Sequence, residues 1–338
     1  MKMKFDRIVL LQQNALGDVV LSTGMIKAFR DQFPESRIAF LADPRFTPLV
    51  DLPFIDELIP YTKGMPLWPV IRRLWHYDVA ICLDFKYRSA VVPFLARIPV
   101  RAGIKHKRKL FLTHFVDCGP ESEQLYFSAY LAQVVEQTIG LKMTGDWSHL
   151  FVAAASPSDL AAADAALPTR IPGRVRIAVS PFSSTLVKDW PPAYYAQFFA
   201  AMSRLGPAEY VLLGGPGEQD RPFPVPENCY DLRGRLPITV TTEVLRRVDY
   251  FVGSCSALLH IATAVGTPSL AFYGPTSPAK WAPRHRCIHL EHQPPCAPCD
   301  AQGYGAPCQG KNVCMESILP EEAVAGMAQL LKQYPAAR

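Results

Sequence analysis

No uninterrupted apolar run in the 338 residues is long enough to cross a bilayer as a helix. A secretory signal is also missing. Residues 1–7 are charged, and residues 8–13 are too short and too polar for an apolar signal core followed by a cleavage site. The chain is therefore expected to be cytoplasmic or peripheral on a membrane. There is little excess charge: 35 Lys and Arg against 30 Asp and Glu leave a formal +5. That excess permits attraction to anionic partners but gives no indication of nucleic acid as one of them. What the chain has in quantity is apolar side chains, at 49% against 19% charged, enough for substantial cores. Its length suits two domains of ordinary size.

Proline is plentiful, at 32 residues, mostly in connections. Nine cysteines are many for a reducing compartment, and five fall between Cys287 and Cys314. There the cluster suggests metal or thiols more than disulfides. Cys296-x-x-Cys299 with Cys308 and Cys314 gives four thiols at a spacing compatible with a tetrahedral site, zinc among the candidates. Buried reduced thiols or an adventitious disulfide are the other reading. A metal there would be structural, holding a Pro- and Gly-rich loop.

Along the chain, short apolar segments alternate with stretches of helical spacing. Strands are expected at 7–12, 38–42, 58–61, 78–83 and 100–104, with helices at 19–33, 71–75, 89–96 and 123–138. After an Ala- and Pro-rich region with a short helix at 158–166, the alternation resumes. Strands follow at 175–179, 209–213, 250–252 and 270–273, with helices at 192–205, 241–248, 257–265 and 320–334. This pattern predicts an α/β protein of two Rossmann-like parallel-sheet domains facing a central cleft, a common ligand site. The boundaries expected are 1–170 and 171–338, with the linker near 167–173. The last helix is expected either in the second domain or packed back on the first.

The most informative stretch runs from Val248 to Pro278. Strand, small-residue turn Gly253-Ser254-Cys255-Ser256, helix, strand and the turn Gly274-Pro275-Thr276 make a βαβ unit. The carboxyl ends of such strands bind ligands, and a helix N-terminus there offers unpaired N–H groups to an anion such as a pyrophosphate. His260 lies about one turn into the helix and can add a side-chain donor. An ordinary βαβ unit with a core histidine is the alternative.

Several separated motifs converge on one family. They are Asn14-Ala15-Leu16-Gly17-Asp18-Val19-Val20-Leu21-Ser22-Thr23, Lys188-Asp189-Trp190-Pro191, Leu212-Leu213-Gly214-Gly215-Pro216-Gly217-Glu218, the stretch through His260 to Gly266-Thr267-Pro268, and the cysteine cluster. Over essentially its whole length the chain resembles the ADP-heptose:lipopolysaccharide heptosyltransferases, inverting glycosyltransferases of family 9 with the GT-B fold. The resemblance implies an ADP-heptose donor bound by the C-terminal domain. It implies an anionic inner-core lipopolysaccharide acceptor bound by the N-terminal domain, at the cytoplasmic face of the inner membrane, and no metal for transfer. Some relatives that glycosylate proteins carry a Cys-bound iron, so iron joins zinc for the cysteine cluster. One departure is plain: Cys255 stands where the family has Asp, and Ala257 where it has Gly.

On this reading Asp18 is the general base, with helix capping as the alternative. Lys188 neutralises charge on the departing ADP. Gly17, Ser183, Ser184, Glu218, Ser256, Ala257 and His260 bind the donor, Glu218 at a ribose hydroxyl. The basic run containing Arg101, Lys105, Lys107 and Arg108 is expected to dock the anionic acceptor, or else to be a solvated loop. Two other functions stay open. One is a family member using another nucleotide sugar or a protein acceptor, which Cys255 and Ala257 favour. The other is a non-catalytic nucleotide-sugar-binding protein.

Overall fold

The computed structural model describes residues 5–117, 119, 124–299, 308 and 311–336. The chain divides into two compact units, Met1–Ala154 and Ala155–Arg338. The first holds β1 (Arg7–Leu11), α1 (Leu16–Gln32), β2 (Arg37–Ala42), β3 (Glu57–Pro60), α2 (Trp68–Leu74), β4 (Val79–Cys82), α3 (Tyr87–Leu95), β5 (Val100–Ile104), β6 (His114–Val116) and α4 (Phe127–Ile139). The second holds α5 (Pro157–Ala166), β7 (Val175–Ser180), α6 (Pro192–Met202), β8 (Ala208–Leu212), β9 (Cys229–Asp231), α7 (Ile238–Arg247), β10 (Tyr250–Ser254), α8 (Ala257–Ala264), β11 (Ser269–Tyr273), α9 (Pro278–Trp281), β12 (Cys287–Glu291), α10 (Val313–Glu316) and α11 (Pro320–Gln333).

Each unit is built on a six-stranded parallel sheet, ordered β3-β2-β1-β4-β5-β6 and β12-β11-β10-β7-β8-β9. The expected α/β class with two Rossmann-like sheets is thus observed. Central strands are apolar along most of their length, as parallel strands covered on both faces must be: Ile8 to Leu11 and Ile177 to Val179 are inaccessible to solvent. In the first unit Val9, Leu11, Ala39 and Leu41 form one core with Val70 and Leu74 of α2 and Ala90 and Val92 of α3. In both sheets the order reverses beside the first strand of the unit. The crevices at the carboxyl ends of β1 and β4, and of β7 and β10, are therefore the ligand positions of the fold.

The differences from the sequence expectations have local causes. The units part between Ala154 and Ala155 rather than near 167–173. Helix α5 belongs to the second unit because it packs on α7, where Thr239 Oγ1 donates to Asp159 at 2.9 Å and Arg247 Nε to Asp164 at 2.8 Å. Arg176 Nη2 then donates to the Pro168 carbonyl at 3.0 Å, fixing the expected linker to the same unit. The last helix, α11, lies on α6, β11 and β12 of its own unit. Strands β6, β9 and β12 were not expected, being short or edge strands of half-buried, partly polar residues with no apolar run to reveal them. Residue 123, the expected start of α4, lies outside the described residues.

Two of the four cations expected to dock an acceptor are structural. Arg108 is buried, 3.6 Å from the equally buried Asp84 carboxylate, and donates to the carbonyls of Lys86 at 2.9 Å and Ile104 at 2.7 Å. Arg101 donates to the carbonyls of Phe111 at 2.6 Å and Ile98 at 2.5 Å, with its guanidinium over the Phe94 ring. Both turn inward because the segment's own carbonyls and aromatic rings need covering. Lys105 pairs with exposed Asp117 at 3.0 Å, and Lys107 is exposed. Removing one partner of a buried ion pair strands the other, so Arg108→Ala should cost about 3–5 kcal/mol. Lys107→Ala should stay within about 0.5 kcal/mol. Urea unfolding of the two variants separates them, and equal midpoints would contradict the buried role.

Candidate active site

In the first unit the crevice is organised by Asp84 at the end of β4. Its Oδ2 accepts the Gln13 N–H at 2.6 Å and the Ser89 hydroxyl at 2.7 Å, and its Oδ1 accepts the Lys86 N–H at 2.7 Å. One carboxylate thereby ties the loop after β1 to the loop after β4. Burial pushes the Asp84 carboxyl above its ordinary value, against these donors and Arg108. Gln13 also accepts from Arg88 Nε at 3.0 Å. Helix α1 starts at Leu16, so Gly17 and Asp18 stand in its first turn rather than in a preceding loop. Ala15 is the N-cap, and Asp18 therefore does not cap the helix as that alternative required. Its carboxylate sits half-buried in the first turn, at the carboxyl end of β1.

In the second unit the Lys188-Asp189-Trp190-Pro191 motif is fixed from the core outwards. Trp190 is inaccessible to solvent, stacks on Phe272 with centroids 4.5 Å apart, and donates from Nε1 to the Ile318 carbonyl at 2.8 Å. Asp189 accepts the Ser183 N–H at 2.7 Å and the Arg221 guanidinium at 2.5 Å, while Asn312 Nδ2 donates to its carbonyl at 2.8 Å. Arg221 lies 3.6 Å over the Phe182 ring, so the brace has an aromatic face as well as a charge. Lys188, half-buried, ends the 3₁₀ turn Leu186–Lys188 that this brace supports. The Ser183 hydroxyl is committed to its own turn, donating to the Thr185 carbonyl at 2.8 Å, and Ser184 is exposed.

Unpaired polar atoms gather at the ends of β10 and β11. Ser254 Oγ at the end of β10, Ser256 Oγ at the N-cap of α8, His260 Nδ1 in its first turn and Thr276 Oγ1 after β11 are buried. None has a hydrogen-bond partner among the described residues. Leaving a buried polar group unpaired costs about 1–3 kcal/mol, and four at one sheet edge mark a place built to receive polar atoms. Ala257, with Ser256, opens α8, whose first N–H groups receive no side-chain cap. Burial, with the Lys188 charge adding to it, pushes His260 down to about 3, so its imidazole is neutral. Lys280, buried on α9 beyond the Thr276 turn, holds its ammonium 5.6 Å over the Trp281 ring.

Glu218 starts a 3₁₀ turn just after Gly217, whose φ of +86° suits glycine. Its carboxylate lies against Gly214, where any Cβ would stand 2.3 Å from Oε2. Burial pushes the Glu218 carboxyl above its ordinary value, and Oε2 has no hydrogen-bond partner among the described residues. Ser254, Arg221 and the brace role of Asp189 were missed from sequence. The signals available were a hydroxyl ending an apolar strand and an Arg three residues past Glu218.

Among the described residues the cysteine cluster forms no closed set of three sulfurs. Cys314 lies close enough to Cys296 and Cys299 to feel their charge, and burial foremost pushes its thiol up to about 11. Among the described residues, no three of Cys296, Cys299, Cys308 and Cys314 bring their sulfurs within 4.8 Å of one another. The sulfur of Cys314 instead packs against Gly274, where a Cβ would stand 2.8 Å away. The expected zinc or iron thus finds no formed ligand set among the described residues.

The sequence model described as "Glycosyltransferase family 9 (heptosyltransferase)" matches residues 69–304. The chain is 25% identical over 358 residues to "Lipopolysaccharide heptosyltransferase 2" of Salmonella typhimurium, covering 97% of this chain and 99% of that one. Among solved structures it is similar to a family 9 glycosyl transferase from Veillonella parvula, with a TM-score of 0.77, 20% identity and coverage of 98% and 99%. It is also similar to E. coli ADP-heptose lps heptosyltransferase II, with a TM-score of 0.76, 22% identity and coverage of 98% and 100%. The structural likenesses establish a shared fold, and the family match spans more than half of the sequence. The chain belongs to glycosyltransferase family 9, the heptosyltransferase family, and is a glycosyltransferase.

Proposed function

We propose that the protein transfers heptose from ADP-heptose, with inversion, to a sugar hydroxyl of an inner-core lipopolysaccharide acceptor. The observation that carries this reading is the set of buried, unpaired polar atoms on Ser254, Ser256, His260 and Thr276 at the ends of β10 and β11. Such a set, with the open N-terminus of α8, suits the oxygens of a pyrophosphate. The second unit then binds the donor, and the first the acceptor. Glu218 suits a ribose hydroxyl, because its unpaired Oε2 is held in a fixed place by Gly214.

The acceptor hydroxyl attacks the anomeric carbon as the bond from that carbon to the pyrophosphate oxygen breaks. Asp18 takes the hydroxyl proton, which defines its role as general base. The second charge developing on ADP is met by Lys188, held by the Asp189 and Trp190 anchors. Of the four expected there, Lys105 and Lys107 remain able to reach an anionic acceptor, whereas Arg101 and Arg108 do not serve it. Cys255 and Ala257 favour one rival reading, a donor with another base. Thermal-shift titration with ADP, GDP, UDP and CDP tells them apart, since a ligand at about 100 times its Kd stabilises by about 2.7 kcal/mol. A selective ADP response supports the proposal, and a UDP or GDP preference overturns the donor.

Asp18→Asn should lower kcat by about 10² to 10⁴ with the ADP thermal shift unchanged. Unaltered turnover would remove Asp18 from the chemistry. A pH effect follows from His260. Above its ordinary value of 6.5 the imidazole is neutral both folded and unfolded, and pH has no leverage through it. As pH falls from 6.5 towards about 3, the unfolded chain takes up a proton that the folded chain refuses, so stability is lost. At pH 5 the loss is about 2 kcal/mol. Nucleotide-free His260→Gln should show a shallower fall in stability between pH 7 and pH 5 than the parent chain. Parallel curves would contradict a buried neutral imidazole.

A further inference from the structure

Two residues beyond the end of β9, Arg233 is 3% exposed. Taking a guanidinium out of water is costly unless its donors are met, and four side-chain hydrogen bonds meet them here. Nε donates to Asp231 Oδ1 at 2.9 Å and Nη2 to Asp231 Oδ2 at 2.7 Å. Nη1 donates to the Glu218 carbonyl at 3.0 Å and to the Arg221 carbonyl at 3.1 Å. The hydrogen bonds from Arg233 foremost hold the Asp231 carboxyl below its ordinary value.

The two carbonyls belong to the two ends of one short turn. The 3₁₀ turn Glu218–Asp220 is closed by the Arg221 N–H, which donates to the Glu218 carbonyl at 3.2 Å. From one end, the Glu218 carboxylate lies against Gly214 with Oε2 unpaired among the described residues. From the other, Arg221 reaches Asp189, whose carboxylate holds the Ser183 N–H beside Lys188. Phe182 lies near both guanidiniums, its centroid 3.6 Å from that of Arg221 and 5.6 Å from that of Arg233. Each arginine has its own aspartate, so the two like charges at this ring are balanced. The Gly234 N–H donates to the Gly214 carbonyl at 3.0 Å, which registers the Arg233 segment against the loop that Glu218 faces.

We infer that Arg233 is a positioning residue for nucleotide binding, one buried guanidinium that clamps both ends of the Glu218 turn. It fixes the Glu218 carboxylate and the Arg221 brace of Asp189 relative to each other without itself touching the ligand. A lysine cannot take its place. Three donors on a single nitrogen do not meet a carboxylate side-on and two carbonyls at once, as the planar fork does. This role deepens the donor reading and rests on the proposed contact of Glu218 with a ribose hydroxyl.

The test is a double-mutant cycle read by titration calorimetry on the full chain. Its members are the parent, Arg233→Lys, Glu218→Gln and the two combined. The titrant is ADP, or GDP, UDP or CDP if one of these binds more tightly, since the ribose is common to all four. Arg233→Lys should weaken binding about tenfold in the parent background. Once Glu218→Gln has removed the carboxylate, the same change should cost about threefold or less. Asp231→Asn keeps the guanidinium charge but loosens its anchor, and should show the same dependence on Glu218. It carries the test if Arg233→Lys fails to fold. Parent-like affinity in Arg233→Lys and Asp231→Asn, or equal losses in the two backgrounds, would overturn the inference and leave the donor reading standing. A parent chain that binds none of the four nucleotides would overturn the donor reading and the role of Arg233 with it.

Discussion

The candidate site of the second unit depends on the burial of Trp190. Its indole fills the core between α6 and β11, stacked on Phe272 and meeting Tyr195 edge-on. It is hydrogen-bonded to the Ile318 carbonyl, so its position along the chain is fixed as well as its depth. Lys188 is two residues away and Asp189 one. A flexible lysine gains directional value only if its backbone cannot drift, and the indole prevents drift from one end. The Asp189 carboxylate, held by Ser183 and Arg221, prevents it from the other.

The two units use the same device at their switch points. In each, a buried aspartate accepts loop N–H groups and faces an arginine: Asp84 with Arg108, and Asp189 with Arg221. Burial raises both carboxyls, and the donors and the arginine oppose it. A loop of small residues at the end of a parallel strand has little apolar surface to hold it. A carboxylate with several acceptor sites supplies the missing rigidity, because it can take two or three N–H groups in different directions at once. The arginine is needed because a lone buried charge would be too costly. This is also why Arg108, part of a run that looks solvent-facing in sequence, is inside.

The sheets were legible because parallel strands covered on both faces announce themselves as apolar runs, as residues 8–11 and 250–252 do. Edge strands β6, β9 and β12 carry no such run and were silent. The start of α1 was read late because Leu16 and Gly17 look like turn residues beside Asn14. The candidate site was legible where rare types stand at motif spacing, as His260 does among the unpaired polar atoms after β10. It was illegible where function resides in a partner, because Arg221 acts through Asp189, thirty-two positions away. The charge of residues 101–109 was visible, but its direction was not, since burial depends on carbonyls and rings that sequence order does not place.

The unpaired polar atoms at the ends of β10 and β11 bear on why the chain keeps hydroxyls and a histidine in its interior. A buried imidazole held neutral, its Nδ1 unpaired, and three unpaired hydroxyls are each a cost to the isolated fold. Apolar side chains of similar size would pack there at less expense. These four atoms share one sheet edge, where the Lys188 charge reaches His260. The remainder of the same unit, from Ile177 to Leu330, is an apolar core well able to offset the cost. An anion with several oxygens turns these unpaired groups into hydrogen-bonded ones without reorganising them, because backbone and core have already fixed where they point. Preorganisation of this kind favours charge that develops during a reaction over charge already present in the ground state. The instability carried at this edge is therefore an expected companion of the phosphate-binding role proposed for it.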